Sequence, residues 1–532
     1  MNGSNTIPVV VGVSGHRELH EGDRPALYAA VKKELTALAA RCPHTPFVLL
    51  SSLAAGADQL CADVAEELGW PLLAALPMER EEYEKGFAPG ELAGFARHCA
   101  RAERVFTVPP TEAVPEDPDR DYFYRQAGVY ISAHSHILLA LWDGGKPTEG
   151  GCGTAETVSF SLRGAYSPAR GAALRSGRNE AVIHVFTPRG DRTEKPAGEL
   201  RFLGSREATE EMLRKTDEFN ALAAPLDTSG SILPPDGRDD GVLDCLERLH
   251  NAADTLSLRF SALYRRLLMA LAAEGTVLTM AFLLYDEAQA IWMILVCGAM
   301  LLAATLTLRY ARREACHRRY IEYRALAECL RVQAYLRYAG SGVDAAELLS
   351  WREQDETAWI LAALCALGLG VPPPGEHDIR LCWVEGQLQY HRGAGKKARR
   401  SARLSERVVR TTLIVSVTLY VAAVFFELVC GGLVFRPVFA VGNVELFRTL
   451  LKIALGSLSA ATLFIASYYG KQSLPRSLSD HDKMARFYEK MADQLTMRGQ
   501  TDELLEVLAR EELIENGDWC SYQRDNTPDI SF

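Results

Sequence analysis

Three short runs of glycine, serine and charged residues carry the groups in this chain best suited to hold an anion. They are Gly12-Val13-Ser14-Gly15-His16-Arg17, then Ser51-Ser52-Leu53-Ala54-Ala55-Gly56-Ala57-Asp58, then Trp142-Asp143-Gly144 with Gly150-Gly151-Cys152-Gly153-Thr154-Ala155-Glu156. Glycine lets backbone N–H groups approach a ligand with no Cβ in the way. Thr154 could cap a helix whose N-terminus carries partial positive charge. A phosphate is the natural guest of such a loop. Arg17 could pair with it through a planar fork, and an acid among Asp58, Asp143 and Glu156 could accept from ribose hydroxyls. Bland roles exist beside these: His16 could simply bond a loop carbonyl, and Asp58 could only complement a helix dipole. Ser14 and His16 do not make a hydrolase dyad, because alternate residues of an extended chain point to opposite sides.

The elements that must position these groups are legible as apolar runs. Residues 9–13, 47–50, 72–76, 137–142 and 181–186 read as strands, with helices over 24–41, from Asp58 to Gly69 and from Thr154 onward. Strands alternating with helices predict an α/β domain with a Rossmann-like, doubly wound parallel sheet. Ligands of such sheets sit beyond the carboxyl ends of the strands. All three loops fall at that edge. Residues 188–205 and 225–241, rich in Gly, Pro and charge, read as loop and linker.

Behind this domain the chain changes character. Residues 267–285 and 288–308 are apolar runs separated by Asp286 and Glu287, and 411–429 and 450–469 form a second pair. Each approaches the ~20 residues that cross a ~30 Å hydrocarbon core, so an all-α membrane region of four transmembrane helices is expected. Arg309, Arg312, Arg313, Arg318 and Arg319 follow the second run, and Lys396, Lys397, Arg399, Arg400, Arg403, Arg407 and Arg410 precede the third. Positive charge marks the cytosolic side. Both termini and the segment between spans two and three are therefore expected to be cytoplasmic, in a multi-pass protein of the cell (inner) membrane. Residues 1–8 lack the features of a cleaved signal peptide.

The four runs make two like units. Arg259, Ser261 and Arg266 recur at one constant offset as Arg403, Ser405 and Arg410, and Tyr323, Ala327, Glu328 and Leu330 recur at another as Tyr488, Ala492, Asp493 and Leu495. The expected organisation is a ligand domain over 1–225, a linker over 226–250, a two-span unit over 251–345, an insert over 346–395 and a second two-span unit over 396–532. Trp351, Trp359 and Trp383 punctuate the insert, which is expected to pack on the long helices. Glu274 lies inside the first span, where a carboxylate is costly unless paired or facing water, and is the candidate pore residue. Glu427, Arg448 and Lys452 lie near outer span ends, where snorkelling explains them.

Composition narrows the classes. A net charge of -10 over 532 residues argues against a nucleic-acid partner. The twelve cysteines include no C-x-x-C spacing, so neither a zinc site nor a disulfide framework is expected.

Taken together, Gly12-x-Ser14-Gly15-His16-Arg17, Leu53-Ala54-x-Gly56-Ala57-Asp58 and Gly150-Gly151-x-Gly153-Thr154-Ala155-Glu156 resemble the SLOG superfamily. That Rossmann-like group includes the cytokinin-activating LOG phosphoribohydrolases, the DNA-processing DprA proteins and the ligand-sensing region of TRPM channels. The resemblance covers roughly residues 8–190 and implies a site for a nucleotide or nucleotide-derived signal. LOG enzymes carry Pro-Gly-Gly-x-Gly-Thr-x-x-Glu, whereas here Glu149 stands in the proline position and Glu156 comes one residue early, with Thr157 in its place. One residue turns a helical side chain by about 100°. The shift argues against glycosidic hydrolysis and leaves backbone phosphate binding intact. The duplicated back half resembles the SLATT two-span effector domains that accompany SLOG domains in bacterial defence.

The expectation is a membrane effector in which the front domain senses a nucleotide-derived ligand and gates or assembles a pore, working as a homo-oligomer in the lipid bilayer. A membrane-tethered nucleotide (phosphoribo)hydrolase is the alternative, and a passive anchor a third. No catalytic residue, metal ligand or cofactor is assigned.

Overall fold

The computed structural model describes residues 5–110, 114–148, 151–163, 181–189, 196–235, 240–349, 358–429, 444–470 and 474–525. In chain order its elements are β1 (Val9–Gly15), α1 (Arg24–Arg41), β2 (Phe47–Ser51), α2 (Ala57–Glu67), β3 (Leu72–Leu76), α3 (Arg80–Glu84), α4 (Pro89–Arg101), β4 (Arg104–Thr107), α5 (Arg120–His134), β5 (Ile137–Trp142), α6 (Thr154–Arg163), β6 (Ala181–Phe186), β7 (Leu200–Gly204) and α7 (Arg206–Ala223). The remainder is helical: α8 (Gly241–Glu287), α9 (Met293–Glu314), α10 (Cys316–Tyr338), α11 (Ala345–Leu348), α12 (Ala358–Ala366), α13 (Gly386–Val429, after a π-helical turn at Arg380–Glu385), α14 (Val444–Gly470), α15 (Leu474–Arg498) and α16 (Asp502–Asp525). The chain forms two compact units. One comprises Met1–Asp254, Arg324–Ile379 and Gln500–Asp518, and the other Thr255–Tyr323, Arg380–Gly499 and Trp519–Phe532.

The first unit is built on a seven-stranded sheet in the order β4-β3-β2-β1-β5-β6-β7. β1, β2, β3 and β5 are continuous apolar runs, and nearly every residue in them is buried. That is the signature of parallel strands covered on both faces. Val10, Val48, Leu50 and Leu138 meet α5 and α6 on one face through Ala127, Ile131 and Val158. Their alternates Val9, Val11 and Leu49 are equally buried and so serve the other face, where α2 packs on β1 and β2.

Two edge strands depart from the expected pattern. β4 (Arg-Val-Phe-Thr) alternates between half-buried and exposed residues and borders β3. β7 pairs antiparallel with β6, so the sheet is mixed at one edge. β7 also falls in the 188–205 stretch expected as loop. β7 is only five residues long and follows a run rich in Pro, Gly and charge, which is why the whole stretch reads as loop from composition.

The insert divides. Its α12 packs on α5, α7 and β1, with the Trp359 and Phe219 ring centroids 6.0 Å apart, whereas its later part meets the long helices: Arg337 of α10 donates to the Val371 and Pro372 carbonyls at 3.0 and 2.9 Å, His377 stacks on Tyr338 at 4.5 Å, and the turn at Arg380–Glu385 packs on α15. Ala366 and Leu369 sit in the core of the sheet, Arg104 donates to the Leu369 carbonyl, and Gly370, at φ +65°, lies against the Phe106 ring. Residues 241–250 of the expected linker form the opening turns of α8. Leu243, Leu246 and Leu249 are fully buried there.

The second unit holds the long apolar helices. Among the described residues, three helical stretches are long and apolar enough to cross a membrane: Gly241–Glu287, Met293–Tyr338 and Arg380–Val429. Within the apolar windows of these stretches few residues are covered by protein, with Leu295 75% and Phe425 66% exposed. The fourth expected span lies within α14, whose side chains beyond Thr462 are outside the described residues. Polar contacts tie these helices in pairs. Thr307 donates to Glu274 at 2.9 Å, Arg448 grips Glu427 at 2.6 and 2.7 Å, and Lys452 meets Glu287 at 2.8 and 3.1 Å. Glu427, Arg448 and Lys452 are thus paired rather than snorkelling singly. Where α13 meets α15, the Nδ1 atoms of His391 and His481 lie 3.1 Å apart, so one ring donates and the other accepts.

Candidate functional site

The strand order turns around at β1, whose neighbours β2 and β5 lead away in opposite directions. Crevices at such a switch point, beyond the carboxyl ends of the strands, are where doubly wound folds take ligands. The three loops read from the sequence leave β2, β1 and β5, the three strands that straddle this point. The fold therefore brings all three together, although their residues do different work.

The glycines of the first two loops serve close packing. A Cβ on Gly12 would stand 2.8 Å from Ser135 Cβ and 2.9 Å from Ile131 Cγ2, and one on Gly15 would collide with Ala57. Gly56 has φ +77°, and its Cβ would press into the backbone carbonyls of His16 and Arg17. Gly12 thus lets β1 lie against the end of α5, while Gly15 and Gly56 let the β1 loop lie directly on the start of α2, where Ala57 N–H donates to the His16 carbonyl at 3.0 Å.

Asp58 is 4% exposed and faces inward. Its Oδ2 accepts from the Ser51 hydroxyl at 2.9 Å, and that hydroxyl in turn accepts from Leu53 N–H at 3.0 Å. Burial pushes the Asp58 carboxyl up to about 7, against the opposing pull of its hydrogen bonds and of Arg17. Ser51 and Asp58 thus fasten the β2–α2 turn instead of lining the rim.

At the third loop the surprise is Glu156. Its Oε1 accepts from Thr148 N–H at 2.6 Å and from the Thr148 hydroxyl at 2.9 Å, while its Oε2 accepts from Gly153 N–H at 3.0 Å. Glu156 is the third residue of α6 and Gly153 immediately precedes it, so this is the glutamate half of a capping box. Desolvation works to raise the carboxyl, but the bonds from Thr148, its own N–H and Gly153 outweigh it and hold it below the ordinary value. Gly151 is glycine because a Cβ would strike Glu156 Oε1 and stand 2.5 Å from Thr148 Oγ1. The amides assigned to phosphate are therefore partly taken: Gly153 N–H by Glu156, and Gly151 N–H by the Thr148 carbonyl at 3.1 Å. Gly150 lies outside the described residues. Thr154 opens α6 and is buried, and among the described residues no acceptor meets the N–H groups of Thr154 and Ala155.

His16 and Asp143 face one another across the switch point. Asp143 N–H donates to His16 Nε2 at 3.0 Å, which leaves the ring proton on Nδ1, and Asp143 Oδ1 lies 3.6 Å from the same nitrogen. Burial lowers the His16 pKa, Asp143 opposes the change, and Arg189 adds to it. Asp143 also accepts from Gly145 N–H at 2.9 Å across Gly144, whose φ of +79° makes the turn. Arg17 is exposed, donates to the Gly86 carbonyl at 2.9 Å and lies over the Phe87 ring. Ser14 is half-buried at the end of β1.

Arg189 is the residue sequence reasoning missed, because it was assigned to a linker. It lies just past the carboxyl end of β6, exposed, and close enough to His16 to depress it. The signal was its position, three residues beyond Phe186 at the ligand edge. Thr148 was missed as well.

One group among the described residues could hold a metal ion: Asp63, Glu66 and His98, with ligand atoms all within 4.8 Å of one another. Arg97 pairs with Asp63 and Glu66, and Arg101 with Glu66. A cation would have to displace two guanidinium groups, so these residues form an ion-pair network.

No protein-family model matches the chain, and no curated protein matches it in sequence.

Proposed function

We propose that this protein is a membrane effector whose Rossmann-like domain binds a nucleotide or nucleotide-derived anion at the β1/β5 switch point. The observation that carries the reading is the strand order, which gathers the loops after β2, β1 and β5 at one crevice. Arg17 and Arg189 supply positive charge there, His16 and Asp143 supply a hydrogen-bonding pair, and the first amides of α6 supply donors. Sensing is favoured over hydrolysis by the state of the acids. Glu156 is committed to three donors and Asp58 is buried against Ser51, so neither is placed to move a proton on a guest.

In this reading four helices span the bilayer, in two repeats of the SLATT kind, as a homo-oligomer with both termini cytoplasmic. The fourth span is α14, supported by the bonds that Arg448 and Lys452 make to Glu427 and Glu287. Glu274, bonded to Thr307 between the first two spans, is the polar group available to a pore. A ligand can shift such an effector only by its differential affinity for two states. α8 runs unbroken from Gly241 to Glu287 and so offers a mechanical route.

The test uses the full chain in detergent, titrated calorimetrically with ATP, AMP and ADP-ribose, and then in dye-loaded liposomes. Binding that Arg17→Ala weakens at least tenfold, together with ligand-dependent leak, is expected. Failure of all three to bind removes the site assignment. Tight liposomes that steadily hydrolyse the added nucleotide replace the sensor with the hydrolase.

A further inference from the structure

Five cations on α13 form a single exposed stripe. Lys396, Arg400, Arg403, Arg407 and Arg410 are spaced four, three, four and three residues apart, which at 100° per residue holds them within about 80° of one face. All five are exposed. The opposite side of the same helix, through His391, Gly395 and Ala398, is buried, and α15 packs there. Two neighbouring cations are paired with α15: Arg399, at the edge of the stripe, with Asp482 at 2.7 Å and Arg392, one turn before it, with Glu489 at 2.6 Å. Among the described residues none of the five stripe cations has a carboxylate partner. Glu406, the one carboxylate between residues 386 and 410, falls about 80° to the side. Five exposed cations aligned on one helix face, none with a carboxylate partner among the described residues, present a surface for an external polyanion.

The height of the stripe says which polyanion. Arg410 immediately precedes the apolar run 411–429. At 1.5 Å per residue Arg407 and Arg403 stand about 5 and 10 Å above it, and Arg400 and Lys396 about 15 and 21 Å. Headgroups occupy about 5–7 Å on each side of the hydrocarbon, and their field decays over a Debye length of about 8–10 Å. The lower three cations therefore stand in the headgroup layer or well within one screening length of it, Arg400 at about that limit and Lys396 beyond.

Resting on the membrane reading above, we propose that this stripe is a binding site for anionic lipid headgroups of the cytosolic leaflet, with Arg403, Arg407 and Arg410 as its main contacts. A cation at such a surface contributes about fivefold in affinity, so the lower three together supply about a hundredfold.

The test reconstitutes the full chain in nanodiscs of four parts phosphatidylcholine to one part phosphatidylglycerol and counts retained lipids by native mass spectrometry. The retained phosphatidylglycerol-to-phosphatidylcholine ratio is expected to exceed the bulk ratio, with that excess falling at least tenfold in R403Q/R407Q/R410Q, less than threefold in K396Q/R400Q, and falling in the parent with added salt. Retention of the two lipids in bulk proportion overturns the proposal. So do equal losses in the two variants accompanied by stripe-dependent binding of inorganic polyphosphate in detergent, which would assign the stripe to a soluble polyanion. Alkaline carbonate extraction separates the failures: protein washed from the bilayer sinks the membrane reading, and embedded protein without enrichment sinks this proposal alone.

Discussion

Glu156 and Asp58 are buried carboxylates in the first turns of α6 and α2, at the same edge of the same sheet, yet their charge states diverge. Glu156 is 8% exposed and held below its ordinary value, whereas Asp58 is 4% exposed and pushed up to about 7. Both accept from a hydroxyl and from backbone amides, so donor chemistry is not the difference. For Glu156 the bonds to Thr148 and Gly153 outweigh desolvation, and for Asp58 complete burial outweighs its bonds. One edge therefore carries a permanent negative charge at α6 and a group near half-protonation at α2. An incoming phosphate meets Glu156 as a resident anion and must draw on Arg17, Arg189 and the remaining amides.

The largest expected effect separates the two turns that present these acids. Gly56→Ala places a Cβ against backbone carbonyls at positive φ, with strain of about 1–2 kcal/mol added to overpacking of about 1–3 kcal/mol. Gly151→Ala meets only the tips of Glu156 and Thr148, which can give way, and should cost about 1 kcal/mol. Hydrogen exchange of the β1 and α2 amides in the full chain reads the first, and that of α6 the second. Equal losses would mean that the two glycines do the same work.

Next comes Glu156→Gln. Hydrogen bonds to a charged group contribute about 1.5–3 kcal/mol each, and the amide keeps shape but not charge, so a loss of about 2 kcal/mol in α6 protection is expected. Because the native pKa is depressed, the stabilisation from Glu156 is present above the unfolded value and lost as pH falls through the folded one. The variant should lack that acid-side loss. It should also bind a nucleotide more tightly, since a resident anion is gone; weaker binding would make Glu156 a ligand contact rather than a cap.

How much of this was legible follows burial. β1, β2, β3, β5 and β6 announce themselves as apolar runs because both of their faces are covered. β4 does not, since an edge strand needs only one apolar side, and neither does β7, which is short and follows a run rich in Pro, Gly and charge. Nothing local marks residues 358–370 as part of the sheet's core, because the partners of Ala366 and Leu369 lie more than two hundred residues earlier. At the site, the loops and their edge were readable, but the roles of the glycines were not, since approach to a ligand and approach to α2 demand the same residue. The cap was readable: Gly153-x-x-Glu156 has capping-box spacing.

A pH titration tests the other acid. A raised pKa means that the Asp58 contribution is fully present below about 4 and lost as pH rises through about 7, a span corresponding to about 4 kcal/mol. His136 runs the other way. Buried and lowered to about 4, it stabilises above its ordinary value of 6.5 and loses that contribution as pH falls toward 4. The two slopes oppose between pH 4 and 6.5. Glu515 in the same unit, raised to about 7 by burial, also opposes the histidine, so Asp58→Asn should remove one of two falling contributions and make the stability of the first unit rise more with pH from 4 to 7 than the parent's does. A profile unchanged from the parent would show that Asp58 does not titrate in this window.

The finest test is Ser51→Ala, which isolates one bond on the weaker side of the comparison. The Ser51 hydroxyl donates to Asp58 and accepts from Leu53 N–H, in a turn where Leu53 itself has φ 55°. Removing it leaves that amide without its partner and takes one donor from a carboxylate already short of solvation. A neutral bond contributes about 1 kcal/mol and one to a charged acceptor more, so the cost depends on whether Asp58 is ionised. At pH 5, with the carboxyl protonated, the loss in β2–α2 exchange protection should be about 1 kcal/mol; at pH 8 it should be larger by roughly another 1 kcal/mol. The same variant should move the Asp58 titration above 7, because the bond that favours the ionised form is gone. An equal cost at both values would show that burial alone sets the charge of Asp58, with Ser51 serving only the Leu53 amide.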